Sequence, residues 1–203
     1  MSKDLNKRLY AFSMFDGYLG YFGSGTRNAS LVINMLKVHE DYMLKVRLAL
    51  EEVPVGYSIS EPVPYSKDGF IRQQQTRLQS HSHPIFTKIH DRMYINGRKV
   101  LDPHMLTLMD AEMLAIAFMA DGSRYVDRRW EDSKPSYRLH LNDWSYGDLM
   151  LLKKSLKDTF GLEVNTRKKG IRYDLAVPNA YSNLFEETID VHVLPSFQYK
   201  LGR

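Results

Sequence analysis

The chain contains no cysteine, which excludes disulfides, thiolate metal sites and thiol catalysis. It has no apolar run approaching the length of a membrane span, so no transmembrane helix and no membrane partner are expected. Neither a secretory signal nor a transit peptide is expected at the start, Met1-Ser-Lys-Asp4. Histidines are few, and the close pair His81 and His83 lacks a third or fourth ligand at zinc spacing. Pro84 directly after that pair reads as a helix start instead. Charge is not extreme either: 28 Lys and Arg against 24 Asp and Glu leave a net +4, a modest lean toward a polyanionic partner. What is present is 203 residues that are 43% hydrophobic, enough for one sizeable domain or two small ones closely joined.

The stretch Leu106–Arg124, LTLMDAEMLAIAFMADGSR, organises the rest. Asp110 reads as an N-cap and Glu112 as a first-turn acid favoured by the helix dipole. Met113 to Ala120 is apolar on every face, so this helix must be buried all round. It then ends on Asp121-Gly122, placing a carboxylate at the negative end of the dipole. That placement requires a cation nearby. An earlier segment ends in the same way: LYAFSMFDG closes on Asp16-Gly17 as LAIAFMADG closes on Asp121-Gly122.

Around these segments the pattern repeats. After Asp16-Gly17 come a strand from Tyr18, a glycine-rich turn with Arg27 and Asn28 at its tip, and a return strand Ala29–Leu36. Leu31, Ile33 and Met35 read as facing the core, with Asn34 outward. A helix over 38–50 follows with Tyr42, Met43, Val46 and Leu50 on one face. Phe70–Gln79 is too polar to be buried on both faces. Arg72, Gln73, Gln75, Arg77 and Gln79 are side-chain types that pair bidentately with guanine and adenine, which points to a strand that reads DNA bases. The second half offers a hairpin in which Arg138 and His140 alternate with Tyr137, Leu139 and Leu141, then a helix over 145–160 stopped by Gly161. A further hairpin around Lys168-Lys169-Gly170 places Asn165, Arg167 and Arg172 among its polar residues. Its inward face is expected to be Ile171, Tyr173, Leu175 and Val177. Asp102-Pro103-His104 reads as a short linker, giving halves 1–102 and 103–203.

The paired Asp-Gly segments resemble the motifs of the LAGLIDADG homing endonucleases in their single-chain, two-motif form. The second copy matches at Leu114, Ala115, Ala120, Asp121 and Gly122. The first keeps Leu9, Asp16 and Gly17 but has Ala11 where the family prefers glycine and Phe15 where it prefers a small residue. Ser82-His83-Pro84, Asn96-Gly97-Arg98-Lys99 and Tyr199-Lys200-Leu201 extend the resemblance over nearly the whole chain.

The resemblance implies an α+β fold of two pseudo-symmetric αββαββα halves that form a DNA-binding saddle, with the motif helices packed at the interface. It implies a monomer that cuts a long, non-palindromic duplex target across the minor groove, leaving short 3′ extensions. Asp16 and Asp121 are then the metal ligands and catalytic acids. Hard oxygen donors select Mg²⁺, with Mn²⁺ as a substitute and Ca²⁺ supporting binding without cleavage. Lys99 and Lys200, at nearly equal separations after the two acids, match the family's basic catalytic positions, and His39 and Asn142 its water-ordering polar positions. The expected location is whichever compartment holds the target DNA, whether bacterial or phage-infected cytoplasm or an organelle. The alternative that the resemblance carries is a maturase, which shares the fold but binds intron RNA.

Overall fold

In the computed structural model of the chain, the first apolar segment is helix α1 (Lys3–Phe15), with every residue from Leu9 to Phe15 buried. The structure describes residues 3–53, 55–60, 74–127, 134–141 and 144–203, with side chains from residue 7 onward. They belong to two compact units, Met1–Asp91 and Arg92–Arg203.

In the first unit α1 gives way to strand β1 (Tyr18–Gly20) almost at once. The Gly17 amide still reaches back to the Phe12 carbonyl at 2.6 Å. A Cβ on Gly17 would stand 2.9 Å from that same oxygen, so glycine is required here by lack of room rather than by an unusual φ. Strand β2 (Ser30–Leu36) buries Leu31, Ile33 and Met35 as expected and exposes Asn34, but Ser30 and Val32, which alternation puts on the side of Asn34, are buried as well. A 3-10 turn (Lys37–His39) leads into helix α2 (Glu40–Glu51), whose Tyr42, Met43, Val46 and Leu50 are buried. Tyr42 meets Phe12 of α1 edge-on at 5.5 Å. Fully burying such a side chain contributes about 1.5–3 kcal/mol, so this one helix face fixes α2 over α1. Strands β3 (Tyr57–Ser60) and β4 (Gln75–Ser80) and helix α3 (Pro84–Met93) follow. The sheet is antiparallel throughout, in the order β1-β2-β4-β3.

The second unit begins with a hairpin, β5 (Tyr94–Ile95) and β6 (Arg98–Lys99). Its turn, Asn96-Gly97, has φ of 52° and 73°, the left-handed pair that makes Asn-Gly the preferred two-residue turn. The supposed linker carries structure of its own. Buried Asp102 accepts from the His104 amide at 2.9 Å and caps a single helical turn, α4 (Pro103–Leu106), with Arg92 3.7 Å from its other oxygen. Helix α5 (Ala111–Asp121) starts at Asp110, whose carboxylate accepts from the Met113 amide at 3.0 Å, and it buries Met113 to Met119 without a break.

Beyond α5 come β7 (Gly122–Tyr125), β8 (Ser136–Leu139) and α6 (Tyr146–Phe160). Ser145 and Asp148 form a reciprocal capping box at the start of α6, and Gly161 at φ 69° ends it. Strands β9 (Asn165–Lys169) and β10 (Arg172–Val177) complete a sheet of order β7-β8-β10-β9. The order is that of the first sheet, strand for strand. Helix α7 (Ser182–Ile189) follows a 3-10 turn, and the chain closes on a 3-10 segment, Pro195–Leu201. Phe118, Tyr137 and Phe185 form an aromatic cluster with centroids 4.9 to 5.6 Å apart. Burial and the Glu186 carboxylate, to which the Tyr137 hydroxyl donates at 2.5 Å, push that phenol above the ordinary tyrosine range.

One expected core residue lies elsewhere. Ile171 is 94% exposed, because Gly170 and Ile171 form the turn and the strand begins only at Arg172. Among the described residues, no helix is long and apolar enough to cross a membrane.

Candidate catalytic centre and nucleic-acid interface

Each unit carries one acid at the end of its apolar helix. Asp16 follows α1 directly and is partly buried; Asp121 is the last residue of α5 and is exposed. Gly122 repeats the lesson of Gly17. Any Cβ there would overlap the carbonyl and ring of Phe118, as one on Gly17 would crowd the carbonyl of Phe12. In both copies the strand leaves immediately after the acid because the next residue has no side chain, which holds the carboxylate at the junction of helix and sheet.

The cation required at the end of α5 is present in the chain itself. Lys200 Nζ donates to the Met119 carbonyl at 2.7 Å and lies 3.4 and 3.5 Å from the Phe118 and Ala120 carbonyls. Its ammonium also sits 5.5 Å from the Phe197 ring centroid. The dipole argument from the sequence is therefore met at least in part by a lysine, and does not by itself call for a metal. Lys99 occupies a different setting, on the two-residue strand β6 opposite Tyr94. The two lysines at matching sequence separations thus sit on unlike local structures, a hairpin strand and a 3-10 segment. His39 is 4% exposed, at the junction between the 3-10 turn and α2. Asn142 lies outside the described residues, as do Arg72 and Gln73.

Among the described residues, no three His, Asp or Glu side chains gather where they could hold a metal ion. What each helix end offers is one carboxylate with main-chain carbonyls beside it. That set contains hard oxygen and no sulfur or imidazole, which suits Mg²⁺, Mn²⁺ or Ca²⁺ and not zinc.

The outer sheet faces are polar. On β4, Gln75, Arg77 and Gln79 point outward while Thr76, Leu78 and Ser80 are buried. Asn34 pairs with Arg77, and Arg77 donates to the Gln79 side chain at 3.2 Å. Arg27 is exposed in the β1–β2 loop. Asn28 is committed to the scaffold, its Oδ1 accepting from Thr87 Oγ1 at 3.2 Å. In the second unit Arg138 faces outward from β8 with its guanidinium 5.0 Å from the Tyr125 ring centroid, while its Nε is buried without a hydrogen-bond partner among the described residues. Asn165, Arg167 and Arg172 are exposed on the β9–β10 hairpin, where Arg167 pairs with Asp174 and Asn165 with Ala176.

The registers allow the two faces to be compared position by position. If Gly17 is matched with Gly122, Tyr18 stands where Ser123 stands, and their cross-strand partners Val32 and Arg138 correspond. Two residues further on, Asn34 corresponds to His140. Asn34 is opposite Arg77, whereas His140 Nδ1 lies 3.1 Å from Asp174 Oδ2. His140 Nε2 lies 2.8 Å from Ser123 Oγ, and the His140 amide donates to the Asp121 carbonyl at 2.9 Å. The sequence does not single out Ser123, and it marks Asp174 only as an outward polar position of the last hairpin. Alternation placed Asp174 outward beside Arg172, but nothing short of the strand register brings it to His140.

Two four-stranded antiparallel sheets of one strand order, each opened by a buried helix followed by or ending in Asp-Gly, define an α+β fold built from an internal repeat. Residues 15–185 match the model of the LAGLIDADG DNA endonuclease family, and the chain belongs to that family. A probable intron-encoded endonuclease 1 of Wickerhamomyces canadensis is 24% identical over 148 residues, covering 71% of this chain; the chain spans 64% of that relative's length. The cytochrome b mRNA maturase bI2 of Debaryomyces hansenii is 23% identical over 187 residues, 89% of this chain and 66% of that protein. Among solved structures, the homing endonuclease I-WcaI bound to its DNA recognition sequence superposes with a TM-score of 0.82 at 20% identity, over 98% of this chain and 86% of its own. I-DmoI in complex with DNA and Mn gives 0.56 at 12% identity, over 91% and 95%.

Proposed function

We propose that the chain is a site-specific, divalent-metal-dependent endonuclease that hydrolyses both strands of duplex DNA across the minor groove, leaving short 3′ extensions. The observation that carries this reading is the repeated placement of an acid. Asp16 and Asp121 each end a buried helix and each precede a glycine that has no room for a Cβ. A purely structural helix terminus would not need the same acid and the same crowding twice.

In this reading Asp16 and Asp121 supply oxygen ligands to Mg²⁺, with Mn²⁺ as a substitute. Bound divalent metal provides a nucleophilic water and neutralises the leaving oxygen. Lys99 and Lys200 stabilise charge that develops at the scissile phosphates, and His39 and Asn142 order water. The outer faces read the target through Asn34, Gln75, Arg77 and Gln79 in the half 1–102, to which Arg27, Arg72 and Gln73 add contacts, and through Arg138, Asn165, Arg167 and Arg172 in the half 103–203, with His140 supporting the second face. Since these sets differ, the target is long and non-palindromic and the protein acts as a monomer.

The maturase reading is favoured by one finding, the likeness to a relative named as a maturase across 89% of this chain. The test is to incubate the protein and Mg²⁺ with DNA in which the sequences flanking its own reading frame are joined. Double-strand cleavage at one site supports the endonuclease. Tight binding to the RNA of the surrounding element, with no cleavage of the joined DNA, supports the maturase instead.

A further inference from the structure

Ser123, His140 and Asp174 form a hydrogen-bonded chain across the outer face of the second sheet. Ser123 Oγ is 2.8 Å from His140 Nε2, and His140 Nδ1 is 3.1 Å from Asp174 Oδ2. Asp174 is 4% exposed, and its Oδ1 is buried with no hydrogen-bond partner among the described residues. A buried carboxylate on an otherwise basic face is costly, so its effect on His140 is informative.

An ionised carboxylate can only accept hydrogen bonds. The ring nitrogen facing it, Nδ1, therefore carries the hydrogen, and in a neutral imidazole Nε2 is then an acceptor. With the ring neutral, Ser123 donates its own hydroxyl hydrogen to that acceptor. What the hydroxyl has left to offer is lone pairs.

We propose that Ser123 is a specificity-determining residue, held by His140 and Asp174 as a fixed acceptor that selects the exocyclic amine of cytosine or adenine in the major groove. The assignment rests on the reading that this sheet face contacts duplex DNA. Cytosine N4 and adenine N6 donate there, whereas the groove edges of guanine and thymine face it with acceptors at O6, N7 and O4. A serine acting alone rotates to satisfy either class and discriminates little. Asp174 removes that freedom through His140, which makes both of them positioning residues. The first unit holds Tyr18, Asn34 and Arg77 at the matching positions, so the restriction falls in one half-site.

The same three groups in the same order activate serine nucleophiles elsewhere; the proposal gives Ser123 no bond-making role. The test is selection of binders from a pool of duplexes with randomised sequence, in Ca²⁺, by the intact protein and by Ser123→Ala, Ser123→Thr and Asp174→Asn. The expected result is one position, in one half-site, where cytosine or adenine on one strand is preferred over guanine or thymine by roughly tenfold or more. Ser123→Ala and Asp174→Asn flatten that position and leave the others intact, and Ser123→Thr, which keeps the hydroxyl, retains it. Three results overturn the proposal: Ser123→Ala selects the same sequence as the parent; the position it relaxes prefers guanine or thymine; or Ser123→Ala keeps every base preference yet no longer cuts. If the parent protein selects no sequence at all, the endonuclease reading itself falls, an outcome distinct from variants that merely match the parent.

Discussion

Replacing Lys200 by methionine tests the electrostatics of the α5 terminus most directly. The substitution keeps much of the aliphatic stem and removes the ammonium that donates to the Met119 carbonyl at 2.7 Å. A hydrogen bond to a charged group contributes about 1.5–3 kcal/mol. A cation at a helix C-terminus contributes about 0.3–1 kcal/mol when exposed and up to about 2 kcal/mol when partly buried. These describe the same contact from two sides and do not add, so a net loss of about 2 kcal/mol is expected. For a chain of this size, that loss lowers Tm by about 4–8 °C in thermal unfolding followed by circular dichroism. Lys154→Met is the control: Lys154 pairs with Asp158 on the exposed side of α6, and its loss should stay within about 0.5 kcal/mol. Cleavage is then measured well below the variant's Tm at saturating DNA, where removal of a group that stabilises transition-state charge should slow the reaction by about 10²-fold. A Tm within a degree of the parent would refute the helix-end argument. An unchanged cleavage rate would make Lys200 a structural residue alone.

Three further outcomes are expected. Asp16→Asn and Asp121→Asn should each abolish double-strand cleavage while leaving DNA affinity equal or tighter, because each removes a hard anionic ligand from near a polyanion; variants that still cut in Mg²⁺ would show the acids to be dispensable. Arg77→Ala and Arg138→Ala should each weaken specific duplex binding by about 1–3 kcal/mol with the fold intact by circular dichroism, and parent affinity should fall steeply with salt through counterion release; affinity indifferent to salt would remove the outer faces as the interface. Gly122→Ala should destabilise by about 1–3 kcal/mol in urea unfolding, since its Cβ overlaps the Phe118 carbonyl; a neutral result would mean the helix–strand junction relaxes more readily than its packing implies.

Features governed by local chemistry were legible in the sequence. Asp110 caps α5, Leu31, Ile33 and Met35 face inward, Tyr42, Met43, Val46 and Leu50 form the buried side of α2, and the paired Asp-Gly segments end the two apolar helices. Period-2 alternation misled at Ile171, because a turn residue beside a strand continues the pattern without sharing its environment. The α4 turn was hidden in a three-residue linker that also happens to be a strong cap, Asp-Pro-His. What the sequence could not reveal was carried by long-range register. Lys200 reaches a carbonyl 81 residues away, and Ser123, His140 and Asp174 come together from separations of 17 and 34. For Lys200 and Asp174 the residue is legible but its partner is not; Ser123 is not legible at all, since a serine on a polar strand looks like ordinary surface.

The shared strand order of the two sheets has a consequence for how such a protein changes. Period-2 alternation separates the outward positions from the core, so a substitution at Gln75, Asn165 or Arg172 leaves the packing behind it untouched. Because each sheet is encoded once, that substitution would, on the proposed function, be felt on one arm of the DNA only and not be copied onto the other. The chain can therefore follow a drifting target by single steps, exchanging one contact at a time while the rest of the grip holds. Asp174 differs, since any change there is transmitted through His140 to Ser123 and alters three positions at once. That part of the face should be the slowest to change.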